Sequence, residues 1–446
     1  MSVSADRGAE PHLWGPQTAL AIENFPISGR PLDRRIVYAV CAIKRHASLA
    51  NAALRSGGVD AEMAAAIVAA CTAVEAGGLD DQFPVDTYQT GSGTSTNMNV
   101  NEVVATIAAR QLGRSVHPND HVNASQSSND VFPSAIRVAT ALVIARELRP
   151  ALRALVERLD TVAERFATVV KAGRTHLMDA APVTLGQEVG AWAYALALAA
   201  ERVDAELPRL CELPLGGTAT GTGLNAPTGF GATVASALAD ELVLPLRAAS
   251  TTPQRMAHQG GQGALADCSA SLRSVAVALT KMANDIRLLG SGPFTGLGEL
   301  VVPPLQPGSS IMPGKVNPVL CETANQVAAR VFGNDATIAY ACSQGILELN
   351  TYLPVIGDAL LESAHLLART CAVLTTKLVD GLRADEDRCR RNAEHTPALA
   401  TVLAPIIGYD RAAAIVREAL ASGRSILDVA RAHGYSDAQL DPSTMV

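Results

Sequence analysis

Leu272, Val275, Leu279, Met282, Ile286 and Leu289 repeat an apolar side chain at alternating spacings of three and four residues, within a run spanning 254–290. That spacing is the heptad stripe of a helix that buries one seam against other helices. About 30 helical residues extend roughly 45 Å, so the stripe needs partners of comparable length. The chain supplies them. Leu152, Leu155, Leu159, Val162 and Phe166 follow Leu148 at the same spacing, with Pro150 as a kink, and residues 186–210, 319–341 and 355–379 read as further long helices. No alternating β pattern competes. The sequence therefore predicts an all-α fold, a central bundle of five long helices flanked by smaller N- and C-terminal helical domains.

The expected boundaries are an N-terminal domain over 1–128, the bundle over 129–380 and a small C-terminal domain over 381–446. Residues 1–30, rich in Gly and Pro, read as an irregular arm. Helices follow at 32–56 and 60–76, the second capped by Asp60. After Asp380 the pattern shortens to helices near 385–392, 410–421 and 426–433, separated by Gly408, Gly423 and Gly434.

With 48% hydrophobic and only 18% charged residues, and aromatics at 4%, the helix faces must be built from Ala, Val and Leu. Little polar material remains to cover them, so some are expected to be buried in a homo-oligomer. The net charge of −7, without a Lys/Arg block, argues against a nucleic-acid partner. The eight scattered cysteines include no Cys-x-x-Cys pair, and no secretory signal opens the chain, which fits a reducing cytoplasm. No run reaches the roughly 18 apolar residues of a membrane span.

Chemistry concentrates in four polar stretches, each read as preceding a long helix. They are 90–99, 117–130, 173–176 and 306–322. The last carries two Pro-Gly pairs, Ser309, Ser310, Lys315, Asn317 and Glu322. Asn317 is expected as the cap and Pro318 as the first residue of the next helix, whose N-terminus welcomes an anion. Likewise Asn129 is expected to cap the helix that contains Pro133. A phosphate-binding loop is excluded, because Gly308 and Gly314 enclose five residues and Val316 follows Lys315. The glycines of 215–231 lack the dinucleotide spacing and read as a tight connection. Glu362-x-x-His365 has the spacing of a di-metal ligand pair but lacks a second such pair, so no metal is expected. Residues 426–440 resemble half of a helix-turn-helix without its basic flanks.

Ser309-Ser310-Ile311-Met312-Pro313-Gly314-Lys315-Val316-Asn317-Pro318 closely resembles the signature of the fumarase/aspartase superfamily. The other stretches match the family in order across nearly the whole chain. His117-Pro118-Asn119-Asp120, Ser125-Gln126-Ser127-Ser128-Asn129-Asp130 and Gly173-Arg174-Thr175-His176 look most like class II fumarase. The resemblance implies a cofactor-free lyase acting on a small dicarboxylate, in a homotetramer whose active sites are shared between subunits. It assigns Ser309 as base, Lys315 to the carboxylate that accumulates charge, and His176 with Glu322 to the leaving hydroxyl. Ser92, Thr94, Ser127, Ser128, Asn129, Thr175 and Asn317 fall at substrate-binding positions, and His117, Asn119 and Asp120 at a second dicarboxylate site. Gly93-Thr94-Ser95-Thr96-Asn97 and His121 lean toward aspartase, so aspartate ammonia-lyase is the alternative.

Overall fold

The computed structural model describes residues 12–436. Its helices are α1 (Pro16–Asn24), α2 (Arg34–Leu54), α3 (Ala61–Glu75), α4 (Thr94–Leu112), α5 (Ser128–Val143), α6 (Arg149–Arg165), α7 (Leu185–Leu210), α8 (Phe230–Leu242), α9 (Thr252–Gly260), α10 (Gly263–Leu289), α11 (Val319–Ser343), α12 (Leu353–Lys377), α13 (Glu386–His395), α14 (Leu399–Ile407), α15 (Tyr409–Ser422) and α16 (Ile426–Ala432). Three short strand pairs interrupt them: β1 (Val170–Thr175) with β2 (Met178–Thr184), antiparallel; β3 (Glu212–Leu213) with β4 (Arg247–Ala248), parallel; and β5 (Leu300–Val301) with β6 (Arg383–Ala384), antiparallel. The fold is all-α in class. Its long members are α5 and α6, joined through a π-helical turn at Ile144–Leu148, together with α7, α10, α11 and α12.

Contacts divide the chain into two compact units, one of Met1–Leu148, Arg202–Arg273 and Arg330–Leu366, the other of Arg149–Glu201, Ser274–Ala329 and Leu367–Val446. In the first unit Asp33 and Asp60 cap α2 and α3 by accepting from Arg35 N and Met63 N, and α2 packs on α3, α5 and α8. Ile36, Val40, Ile43, Ile67 and Ile136 are fully buried there. The second unit holds the β1–β2 hairpin with α13 packed on β1. It also contains a terminal core in which Leu399, Leu403, Ile415, Ile426 and Val429 from α14, α15 and α16 are buried together. Every member of the Leu272–Leu289 stripe is buried, as its spacing predicts.

Several local expectations are corrected. The N-terminal segment is not wholly irregular: Gly15 and Pro16 open α1, whose N-terminal amides are taken by Glu102. Residues 1–11 of that arm lie outside the described residues. The 254–290 helix is two helices, broken where Gln262 adopts a positive φ of 55°. The stretch 173–176 is not a helix lead-in but the end of β1 and the hairpin turn. Helix α14 was not expected. Of the segment 426–440, only α16 and residues up to 436 are described.

Candidate functional site

In the first unit, α4 and α5 bring their N-termini to one cluster of hydroxyls. Gly93 starts α4 in the left-handed region at φ 73°, without a side-chain cap. A Cβ there would fall 2.2 Å from the Phe132 ring, so only glycine permits this approach. The Thr94 hydroxyl lies 2.7 Å from both Ser92 Oγ and Ser128 Oγ, making a chain of three hydroxyls between the helix starts. Two helix dipoles and orientable O–H groups suit a carboxylate.

The cap of α5 is Ser127, not Asn129. Ser127 Oγ accepts from Asn129 N, and Asp130 returns the bond to Ser127 N at 2.9 Å, completing a capping box. Asn129 donates to Ala219 O at 2.9 Å instead. Pro133, deeper in the helix than expected, leaves one turn of α5 without its amide donor. Fully buried Asp130 also accepts from Gly216 N and Thr218 N, at 3.0 and 2.9 Å, and so fixes the Gly-rich connection against α5. Burial pushes its carboxyl up to about 6 against the pull of these N–H donors. The connection expected from the glycines is thus a turn built around a buried carboxylate.

His117, Asn119 and Asp120 sit on a separate exposed turn of the same unit, within and just before a π-helical segment at Pro118–Val122. His117 Nδ1 accepts from Asp120 N and lies 3.2 Å from Asp120 Oδ2. His121 Nδ1 accepts from His117 N, a bond internal to this turn.

In the second unit the 306–317 loop closes on itself. Gly308 N donates to Lys315 O and Asn317 Nδ2 to Gly308 O, each at 2.8 Å, while Ser309 Oγ accepts from Ile311 N. Asn317 is therefore a loop clasp rather than the cap of α11. Helix α11 begins at Val319, and the Pro318 carbonyl accepts from the Cys321 and Glu322 amides, so Pro318 rather than Asn317 stands at the cap position. Lys315, Asn317 and Glu322 line a cavity of about 470 Å³ with Asn284, Arg287 and Ser291. Thr175 and His176 stand on another element of this unit, the exposed end of the hairpin, where His176 and Leu177 both have positive φ.

The hairpin is braced from below. Glu299, fully buried, receives Arg174 through two bonds of 2.8 and 2.9 Å, Asn392 at 2.7 Å and Lys171 at 3.2 Å. Lys171 reaches Glu188 as well. This ion cluster was not read from the sequence, because its members lie more than 100 residues apart in part. Lys44 was missed too. Its only sequence signal is a lysine on the mostly apolar buried face of α2, one turn after Val40 and ahead of Ser48 and Asn51.

The Glu362/His365 pair is engaged elsewhere, Glu362 by Arg330 and Asn334 and His365 by Glu147. Among the described residues no group of three or more His, Cys, Asp or Glu is placed to hold a metal. All eight cysteines are buried and unpaired. Among the described residues no helix is long and apolar enough to cross a membrane.

Comparison with known proteins places the chain. Residues 6–333 match the lyase family and residues 399–446 the fumarase C C-terminus. A class II fumarate hydratase of Corynebacterium glutamicum is 50% identical over 93% of this chain and 86% of its own length. That of Mycobacterium tuberculosis H37Rv is 50% identical with the same coverage. Among solved structures, the recombinant class II fumarase of Schistosoma mansoni superposes with a TM-score of 0.92 at 36% identity, covering 97% of this chain and 95% of that one. Aspartase is not favoured by these relatives, and the two features that leaned toward it serve locally here, as the first turn of α4 and the His117 turn. The chain belongs to the class II fumarate hydratase family.

Proposed function

We propose that the protein hydrates fumarate reversibly to (S)-malate, by abstraction of the C3 proton and loss or addition of water through an aci-carboxylate. The observation that carries this reading is the Ser92–Thr94–Ser128 hydroxyl chain that joins the starts of α4 and α5, in a chain with this family membership. Ser92, Thr94, Ser127, Ser128, Asn129 and Thr175 bind the substrate carboxylates. Ser127 does so with an oxygen that also caps α5.

Ser309 is the base. A serine hydroxyl is a weak base, so it relies on positive potential from Lys315 and from the start of α11. Lys315 and Asn317 stabilise the carboxylate that gains charge, each such donor lowering the barrier by about 3 to 4 kcal/mol. His176 and Glu322 handle the water. His117, Asn119 and Asp120 form a second dicarboxylate site. The reaction uses no cofactor, and the enzyme works in the cytoplasm as a homotetramer with active sites shared between subunits. The division at 128/129 and 380/381 is our reading of the domains, and the end of α12 at Lys377 supports its second boundary.

The test is Ser309→Ala, which should abolish turnover of L-malate, followed by fumarate absorbance, while the melting temperature stays near that of the parent. Surviving turnover would shift the role of base to Ser310 or another group. Release of fumarate from L-aspartate and not from L-malate would refute the hydratase reading.

A further inference from the structure

Lys44, on α2, is fully buried, and its ammonium donates to two neutral amide oxygens, Asn123 Oδ1 at 3.1 Å and Gln126 Oε1 at 3.5 Å. Among the described residues no carboxylate pairs with it. Desolvating an ammonium that has no ion-pair partner costs several kcal/mol, a cost that a bound anion would reduce. The Asp130 carboxylate acts on the ammonium from beyond ion-pair distance, and its oxygens are committed to the backbone amides of Ser127, Gly216 and Thr218. Cys41 and Cys71 also face the ammonium, and the Cys41 thiol is pushed well up by burial and so stays neutral.

The two acceptors of Lys44 belong to the turn that delivers the α5 N-terminus. Asn123 accepts as well from Asn97 of α4 at 3.2 Å and donates to Gln126 O at 3.3 Å. Gln126 donates to Val122 O and Ala124 O, both at 3.1 Å. One ammonium thus braces the turn between α4 and α5, and its second acceptor, Gln126, directly precedes Ser127 and Ser128 in the chain.

We propose that Lys44 is a positioning residue for the substrate carboxylate: it orders the 123–127 turn and supplies the buried positive charge for which the bound dicarboxylate is the counter-ion. This rests on the reading of Ser92, Thr94 and Ser128 as carboxylate-binding groups. The charge acts through the turn and the field, without touching the reacting atoms.

The experiment measures succinate binding, as an unreactive dicarboxylate, and steady-state kinetics on fumarate. Lys44→Met should weaken succinate at least tenfold, about 1.4 kcal/mol. It should raise KM in parallel and change kcat less than threefold, while Lys44→Arg retains most of the affinity. Should Lys44→Met fail to fold, Asn123→Asp decides, since it sets a carboxylate against the ammonium and cancels the charge without opening the core. It too should weaken succinate at least tenfold. Wild-type succinate affinity in a folded Asn123→Asp or Lys44→Met protein overturns the proposal. Ser128→Ala separates the two layers: if it weakens succinate and the Lys44 and Asn123 variants do not, only the role of Lys44 is wrong. If Ser128→Ala also has no effect, the carboxylate-site reading itself has failed.

Discussion

Replacing Glu299 by Gln tests whether the hairpin bearing His176 is held by its buried ion cluster. Glu299 takes both nitrogens of Arg174, with Lys171 and Asn392 on the same two oxygens. A glutamine keeps the shape but turns an N–H₂ group toward the Arg174 and Lys171 donors. Removing one partner of a buried ion pair costs about 3–5 kcal/mol, because the remaining charge stays desolvated. Lys171 keeps Glu188 at 2.9 Å, so the lower end, about 3 kcal/mol, applies. That is roughly a hundredfold in the folding equilibrium, readable by urea denaturation at pH 7. Burial alone would raise the Glu299 carboxyl, but Arg174, Lys171 and Asn392 reverse this and hold it below the usual range. A carboxyl depressed in the folded state contributes stability above its unfolded value, near 4.3, and loses it as pH falls through the folded value. The gap between parent and variant should therefore be full at pH 7 and close on acidification below about pH 4. Equal stability at pH 7, or a gap that persists in acid, would refute the reasoning.

Two further substitutions probe the backbone. Gly93→Ala combines a strained φ of 73° with a Cβ 2.2 Å from buried Phe132; it should lose more than about 2 kcal/mol and weaken succinate binding, and an unchanged melting curve would speak against the glycine requirement. Leu177 holds φ 63° at the hairpin end while 73% exposed, so Leu177→Gly relieves strain without removing core packing. Strain relief of about 1–2 kcal/mol outweighs the roughly 0.5–1 kcal/mol that glycine's extra freedom in the unfolded chain costs, so the variant should be modestly stabilised, seen as a slightly higher melting temperature; a lower one would show that the leucine side chain is engaged.

How much of this was legible in the sequence depends on where each element finds its partners. The Leu272–Leu289 stripe states its own requirement, since the side chains that must be buried recur along one helix. Asp60, as cap of α3, is equally local, bonding an amide three residues on. The hairpin could not be read this way. Its strands show no alternation, and they are held by Glu299, 125 residues from Arg174. Helix α1 was read as an irregular arm for the same reason. Its cap is not a neighbour but Glu102, which takes Gly15, Gln17 and Thr18 amides and the Thr18 hydroxyl. At the candidate site the residue types were legible and their division of labour was not. Ser127 rather than Asn129 caps α5, and Asn317 clasps its own loop.

These misses share a cause. Glu102 serves the start of α1, Asp86 takes Ser28 N and Gly29 N, Asp130 takes Gly216 N and Thr218 N, and Glu299 holds the hairpin. In each case a carboxylate at least 57 residues away satisfies polar groups that a loop or helix start leaves open. Backbone amides buried without a partner are costly, and an ionised acceptor makes the stronger bond. A chain with 18% charged residues has few such acceptors, and these four are buried or largely buried rather than spread on the surface. Lys44 fits the same economy with the sign reversed. The acidic groups anchor donors within the protein, whereas among the described residues the buried ammonium on α2 has no carboxylate within ion-pair distance, Asp130 acting on it from farther away. In the role proposed for Lys44 the bound dicarboxylate supplies the missing partner, which is why the succinate affinity of the Lys44 and Asn123 variants decides the matter.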